Sequence, residues 1–249
     1  LVHLDLLLSN SKKTKTIQVK DSTMDAHTNI EIEKSVIRSQ HTQRNFNLNK
    51  KLPKKDIDTL LHAVTNCPSK QNLAFYKVHF IQDRDIIEEI HENTYGFGLV
   101  GKAPVNGIRQ TETNPQTLAN LLVIFEDYSD EELADQITKK TRGQKAKEYL
   151  KNGYWCEETQ QDINRDKQIA LGIAAGYLNL TASLMGYRTG CCQCMDTNAI
   201  REIAMLREEP LLLMGVGFPQ EGVSRRRHHI RDFTFPVQKK QPIKYEVSD

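Results

Sequence analysis

Apolar residues recur along this chain at two spacings, and the change from one to the other predicts its elements. Behind Pro53, the residues Ile57, Leu60, Leu61 and Val64 follow the i, i+3, i+4, i+7 rule of a one-sided helix. That helix is expected to stop near Cys67-Pro68, because the residue before a proline is steered out of the helical region. FYKVHFI (75–81) alternates as a strand does, while LANLLVIF (118–125) and PLLLMGVGF (210–218) are strongly apolar runs of buried strands. RDIIEEIHEN (84–93) and TNAIREIAML (197–206) predict short helices, the second with Asp196 as its N-cap. Another helix is expected from Glu31 to about Ser39. The longest is expected over 165–187, where Ile169, Ile173, Leu180 and Leu184 form a stripe. Ala170, Ala174, Gly176 and Ala182 keep much of its remaining surface small, which lets another helix approach closely.

Residues 1–29 show no sustained period and are rich in Lys, Ser and Thr. They read as a flexible N-terminal arm with a short strand at Thr16–Val19, leaving 30–249 as a single domain. Gly and Pro punctuate 96–115, and the polar stretch 130–165 is helical in part, with an aromatic island at Tyr154-Trp155. SRRRHHIRDFTFPV (224–237) reads as a basic turn entering a final strand. Helices and strands are mixed without regular βαβ alternation, so the fold class is α+β. The GVG at 215–217 lacks the third glycine and following helix of a dinucleotide fingerprint.

Composition narrows the functions. A net charge of +2 over 249 residues excludes a chain that is basic as a whole, so any anion site must be local. The apolar runs are strand-sized, which predicts no membrane span. The opening LVHLDLLLSN carries Asp5, and its lysines follow the apolar part, the wrong order for a secretory signal. Five cysteines at irregular spacing give no disulfide framework, and a cytoplasmic location is expected.

Four short stretches carry candidate chemistry. In QHTQRNF (40–46), Thr42 and Arg44 could hold a phosphate or a carbonyl-rich ring, or form an ordinary helix–loop junction. In CPSKQN (67–72), Ser69 and Asn72 either meet a ligand or bond only to their own turn. In TGCCQCMD (189–196), zinc would need a fourth ligand and better spacing, and a reactive thiol would need a base. The plain alternative is a tight loop of small, weakly polar side chains. In SRRRHH (224–229), consecutive arginines either grip a phosphate or form a solvated turn. A nucleic acid would want a longer basic face than this short turn, so no nucleic-acid partner is expected.

The order of these stretches resembles the FMN-dependent nitroreductase family, over residues 30 to about 235. His41, Thr42, Arg44 and Phe46 match the family's Arg-[Arg/His]-Ser-x-[Arg/Lys]-x-Phe signature, with Gln40 where a phosphate-binding Arg is usual. Pro68, Ser69 and Asn72 match its Pro-Ser-x-x-Asn, followed by Ala74-Phe75-Tyr76 in place of Gln-Pro-Trp. GVGFP resembles its Gly-Tyr-Pro strand end, and SRRR its late basic pair, which gives Arg225 and Arg227.

The resemblance implies a nitroreductase-like mixed or antiparallel sheet flanked by helices, in an intertwined homodimer with FMN between subunits and the long helix in the interface. It implies contacts to FMN from Gln40, His41, Thr42, Arg44, Pro68, Ser69, Asn72, Arg225 and Arg227. Backbone N–H groups of Gln193 and Cys194 would face flavin N5, and no thiol chemistry or obligatory catalytic side chain is required. Arg44 would supply a cation near N1/O2, where reduction adds negative charge. NAD(P)H is the implied co-substrate in a ping-pong cycle that ends on a small-molecule electron acceptor such as a nitroaromatic, quinone or free flavin. Tyr154 and Trp155 would stack over that acceptor or serve as core or dimer residues. The alternatives are a divergent member in which FMN is substrate or weakly bound, and a non-catalytic polyanion-binding protein, whose binding would weaken steeply with salt.

Overall fold

The computed structural model describes residues 26–96, 113–140, 157–230, 232–237, 239–244 and 246–247. The expected strand at Thr16–Val19 and the aromatics Tyr154 and Trp155 lie outside the described residues. In chain order the elements are α1 (Ala26–Ser39), α2 (Lys54–Thr65), β1 (Tyr76–Ile81), α3 (Arg84–Glu92), β2 (Leu121–Asp127), α4 (Asp130–Lys140), α5 (Glu157–Leu184), β3 (Arg188–Cys192), α6 (Thr197–Ile203) and β4 (Pro210–Gly217). The four strands form one sheet in the order β1-β2-β4-β3, and every pairing is antiparallel.

The sheet is covered on both faces, which is why β2 and β4 are apolar at nearly every position. Leu121, Val123 and Phe125 join Leu212, Met214 and Val216 in one core with Leu60 and Val64 of α2 and Ala174, Leu178 and Ala182 of α5. Leu122, Ile124 and Leu213 face the other way, onto Ile87 and Ile90 of α3 and Ile200 of α6. Local chemistry starts the small helices: Asp83 accepts from the N–H of Asp85 and Ile86, and Asp196 from those of Asn198 and Ala199.

Three expectations need correction. The cysteine stretch is not wholly a loop, because Arg188–Cys192 pairs with β4 along its whole length as an edge strand. Gly190 makes this possible: a Cβ there would collide with the Cβ of Gln116 and lie 2.8 Å from the Gln43 carbonyl. The long helix starts at Glu157, and its inner face is Ala170, Ala174, Leu178 and Ala182 rather than the isoleucine stripe. Large side chains of the sheet already fill that layer, so the small residues face inward, while Ile169 and Leu184 are exposed. Finally, the described residues of 224–237 form no strand; among them an isolated bridge joins Arg227 to Thr234.

Helix α1 begins at Ala26 and docks on α5 through polar contacts. Ser183 Oγ donates to Ser35 O at 2.9 Å, and Asn179 Nδ2 to Ser39 O at 2.8 Å. Near the start of β1, the Gln136 side chain of α4 accepts from Ala74 N at 2.8 Å and donates to Ala74 O at 3.0 Å.

Candidate functional site

The segment after α1 is tied down at both ends. Gln43 N–H donates to Thr189 O of β3 at 2.8 Å, and Arg44 N–H to Arg225 O at 3.0 Å. Arg225 Nη1 donates back to Thr42 O at 3.2 Å. The Asn45 amide bonds to the carbonyls of Ser224 and Arg227 at 2.6 and 3.0 Å. Two stretches some 180 positions apart are thereby made one surface.

That surface is a polar cleft of about 140 Å³, lined by Gln40, His41, Thr42, Arg44, Arg225, Arg226, Phe235 and Pro236. Three guanidiniums and an imidazole line it, and among the described residues no carboxylate does. Burial lowers the Arg44 pKa from its ordinary value, and the neighbouring charge of Arg225 adds to this. Burial and Arg225 likewise lower that of His41. The Arg44 guanidinium lies 4.2 Å from the centre of the Phe235 ring, which is 1% exposed. An anion entering here relieves mutual repulsion among the cations and accepts charge-assisted hydrogen bonds. A phosphate monoester therefore fits the donor set and the volume.

Five of the predicted residues, Gln40, His41, Thr42, Arg44 and Arg225, line this cleft together. Arg227 does not; it is half exposed and pairs with Asp232 at 3.1 Å. Its neighbour Arg226 lines the cleft, held by a 2.7 Å bond from Nη1 to Phe235 O. Arg226 belongs to the consecutive arginines read as a phosphate grip but is not among the two that the resemblance gives, and Phe235 escaped the sequence reading although it lies in the quoted basic segment. Among the described residues no group of three or more His, Cys, Asp or Glu side chains could hold a metal ion.

Ser69 and Asn72 border a second cavity, of about 530 Å³, with Cys67, Tyr76, Lys77 and Tyr128 among its walls. Gln71 and Asn72 both have φ of 53°, a left-handed conformation that costs non-glycine residues energy. The turn is held by Ser69 Oγ donating to Leu73 O at 2.6 Å and by the Lys70–Asp166 ion pair at 2.5 Å. Pro68 is exposed beside this turn. This cavity adjoins β1, whereas the anion cleft adjoins β3, and these are opposite edges of the sheet. Three interstrand steps of about 4.8 Å separate the edges, roughly 14 Å.

Gln193 and Cys194 follow the end of β3 and are exposed. Cys194 O accepts from Tyr95 N–H at 3.0 Å, and Met195 bridges to Thr94. Burial pushes the Cys192 thiol up to about 11, so it is protonated at neutral pH. The Cys191 residue is exposed at the surface, yet loss of hydration around its sulfur also pushes its thiol up to about 11. Neither is a ready nucleophile.

Sequence and shape comparisons give the family and the fold. Residues 37–218, well over half the chain, match the nitroreductase family. The chain belongs to that family. No curated protein matches it in sequence. Among solved structures it is similar to a Bacillus subtilis protein described as a nitroreductase, ydfN, at 15% identity and a TM-score of 0.57, covering 85% of this chain and 96% of that one. It is similar to a nitroreductase family protein of Streptococcus pneumoniae at 19% identity and TM-score 0.56, covering 85% and 99%. It also resembles a Staphylococcus epidermidis protein described as an NAD(P)H:FMN oxidoreductase, at 19% identity and TM-score 0.54, covering 84% and 92%. At these identities the likeness shows the fold: helices around an antiparallel nitroreductase sheet. Among the described residues no helix is long and apolar enough to cross a membrane.

Proposed function

We propose that this nitroreductase-family chain is an FMN-dependent oxidoreductase acting as a homodimer, with NAD(P)H as electron donor and a nitroaromatic, quinone or related molecule as acceptor. The observation that carries the reading is the carboxylate-free cleft of Arg44, Arg225, Arg226 and His41, sized for a phosphate. FMN, when bound, supplies the redox chemistry, taking electrons from a nicotinamide and passing them to the acceptor in a ping-pong alternation.

The chain's own groups bind and orient. Arg225 and Arg226 hold the phosphate from the basic turn, and Arg44, fixed by Phe235, faces it from the other wall. Thr42 offers a hydroxyl, and the exposed Gln193–Cys194 backbone offers N–H donors to the ring's reactive edge. Arg44 also adds positive potential close to a ring that gains negative charge, where partial burial keeps solvent screening low. Ser69 and Asn72 stand at the other sheet edge, so their share of the ring surface comes from a second copy. Exposed Ile37, Ile169, Tyr177 and Leu184 on the packed helices α1 and α5 favour such pairing. Placement of residues 30–249 in one domain and a cytoplasmic location accord with this reading.

The test is a titration of purified chain with FMN, with riboflavin as the control lacking the phosphate. FMN binding with NAD(P)H oxidation supports the proposal, and equal or absent binding of both flavins overturns it.

One observation favours a second reading, in which FMN is substrate or weakly held. Gln40 brings no charge to the cleft where the resembling signature has an Arg. Product analysis after aerobic incubation with reduced FMN separates the two: intact flavin supports the first, and a cleaved ring the second.

A further inference from the structure

Between the anion cleft and the Gln193–Cys194 edge lies a buried polar network that neither site uses directly. Asn114 and Gln116, 3% and 5% exposed, sit at a short turn before β2. Asn114 Nδ2 donates to Cys192 Sγ at 2.7 Å, and Gln116 Nε2 to Cys191 O at 2.8 Å. The same turn reaches back toward the basic segment. His228 accepts from Ile230 N–H on Nδ1 at 3.1 Å, so its Nε2 carries the proton and donates to Thr113 O at 3.3 Å. Buried His91 joins the parts: Nε2 accepts from Thr113 Oγ1 at 2.8 Å, and Nδ1 donates to Asn114 O at 3.1 Å.

The amide oxygens of Asn114 and Gln116 are buried and have no hydrogen-bond partner among the described residues. An unpaired buried acceptor is destabilising, and a leucine of similar size would remove the cost together with the contact. A polar side chain at such a position is explained by where its donor points. Both donors point at β3 just before the exposed amides.

We propose that Asn114 is a positioning residue: through Cys192 it fixes the Gln193–Cys194 backbone edge relative to the Arg44–Arg225 cleft, and His91 and Thr113 fix Asn114. The assignment rests on the FMN reading given above and says which residues set the register between phosphate and ring.

Three quantities are compared in the unmutated chain and in Asn114→Leu: FMN affinity, the visible spectrum of bound FMN, and amide hydrogen exchange of 192–196 without flavin. Loss of one such hydrogen bond corresponds to roughly five- to tenfold in FMN affinity. A shifted flavin band and faster exchange at 192–196 are expected with it, while the thermal midpoint stays level or rises. Affinity for inorganic phosphate should not change. Cys192→Ala should reproduce the effect, and the double variant should add little beyond either single one. If Asn114→Leu does not fold, Cys192→Ala alone decides. An unmutated chain that binds no FMN sinks the proposed function, and this assignment with it. An unmutated chain that binds FMN, with both variants matching it in affinity, spectrum and exchange, sinks the assignment alone.

Discussion

Arg44 stacks on Phe235, its guanidinium carbon 4.2 Å from the ring centre. The contact joins the segment after the first helix to the far end of the chain and presses a cation against an apolar plane. Phe235→Leu keeps most of the buried volume and removes the π face. A desolvated cation–π contact is worth about 2 kcal/mol, so a thermal melt should register a loss of at least that order, with the lost ring packing on Phe233 and His228 adding to it. Phosphate and FMN affinity should fall as well, because Arg44 loses its fixed orientation. Unchanged affinity would show that Phe235 does not set the orientation of Arg44.

Arg225 and Arg227 should separate cleanly. Removing a charge-assisted donor from an anion costs about 1.5–3 kcal/mol, roughly ten- to a hundredfold in affinity, and this is expected of Arg225→Ala in a fluorescence titration with FMN. Arg227→Ala removes an exposed pair with Asp232 and should change affinity less than about twofold. The reverse ranking would move the phosphate outside the cleft.

His91 sets an acid limit. Burial, with nearby cationic and imidazole groups helping, pulls its pKa down to about 4. A folded value below the unfolded one of about 6.5 means that its stabilising effect is full above pH 6.5 and is lost as pH falls toward 4. The span corresponds to at most about 3 kcal/mol. Urea melts across this window should show stability declining in the unmutated chain and a flatter profile in His91→Gln. Proton NMR of the imidazole should give a midpoint near 4.

Glu126 is a second acid-sensitive point, in another part of the sheet. Burial alone would raise its pKa, but the amides of Glu208 and Arg207, the His79 ring and Lys77 outweigh this and lower it. Its oxygens accept from Glu208 N–H at 2.8 Å and Arg207 N–H at 2.9 Å, fixing the turn into β4. The depressed value means that this stabilisation is present above the ordinary carboxylate range and disappears as pH drops through the folded value. Glu126→Gln should cost about 1–3 kcal/mol at neutral pH. It should also shallow the acid limb of the stability curve, measured by denaturant melts between pH 3 and 6.

Much of the architecture was legible in the letters. Strands β2 and β4 are apolar at nearly every position because both sheet faces are covered, and Asp196 announced its helix by capping chemistry. Strand β3 was not legible, since Thr189, Gly190, Cys191 and Cys192 carry no large alternating side chains. Their strand comes from pairing with β4 and from Gly190 admitting Gln116. The inner face of α5 was misread because a helix of alanines and isoleucines offers two apolar sides, and the size of the opposing sheet residues decides between them. At the site, Arg44 and Arg225 could be picked out by motif order. Phe235 and Asn114 could not, because their roles arise from contacts with residues 191 and 78 positions away.

The anion cleft and the Ser69–Asn72 cavity occupy opposite margins of one sheet, so in the homodimer proposed above a ligand gripped by both would be shared between a molecule and its twin. Its retention would then follow subunit exchange. Dilution would weaken the grip of such a ligand by mass action, and colour lost on a gel-filtration column would report parting twins.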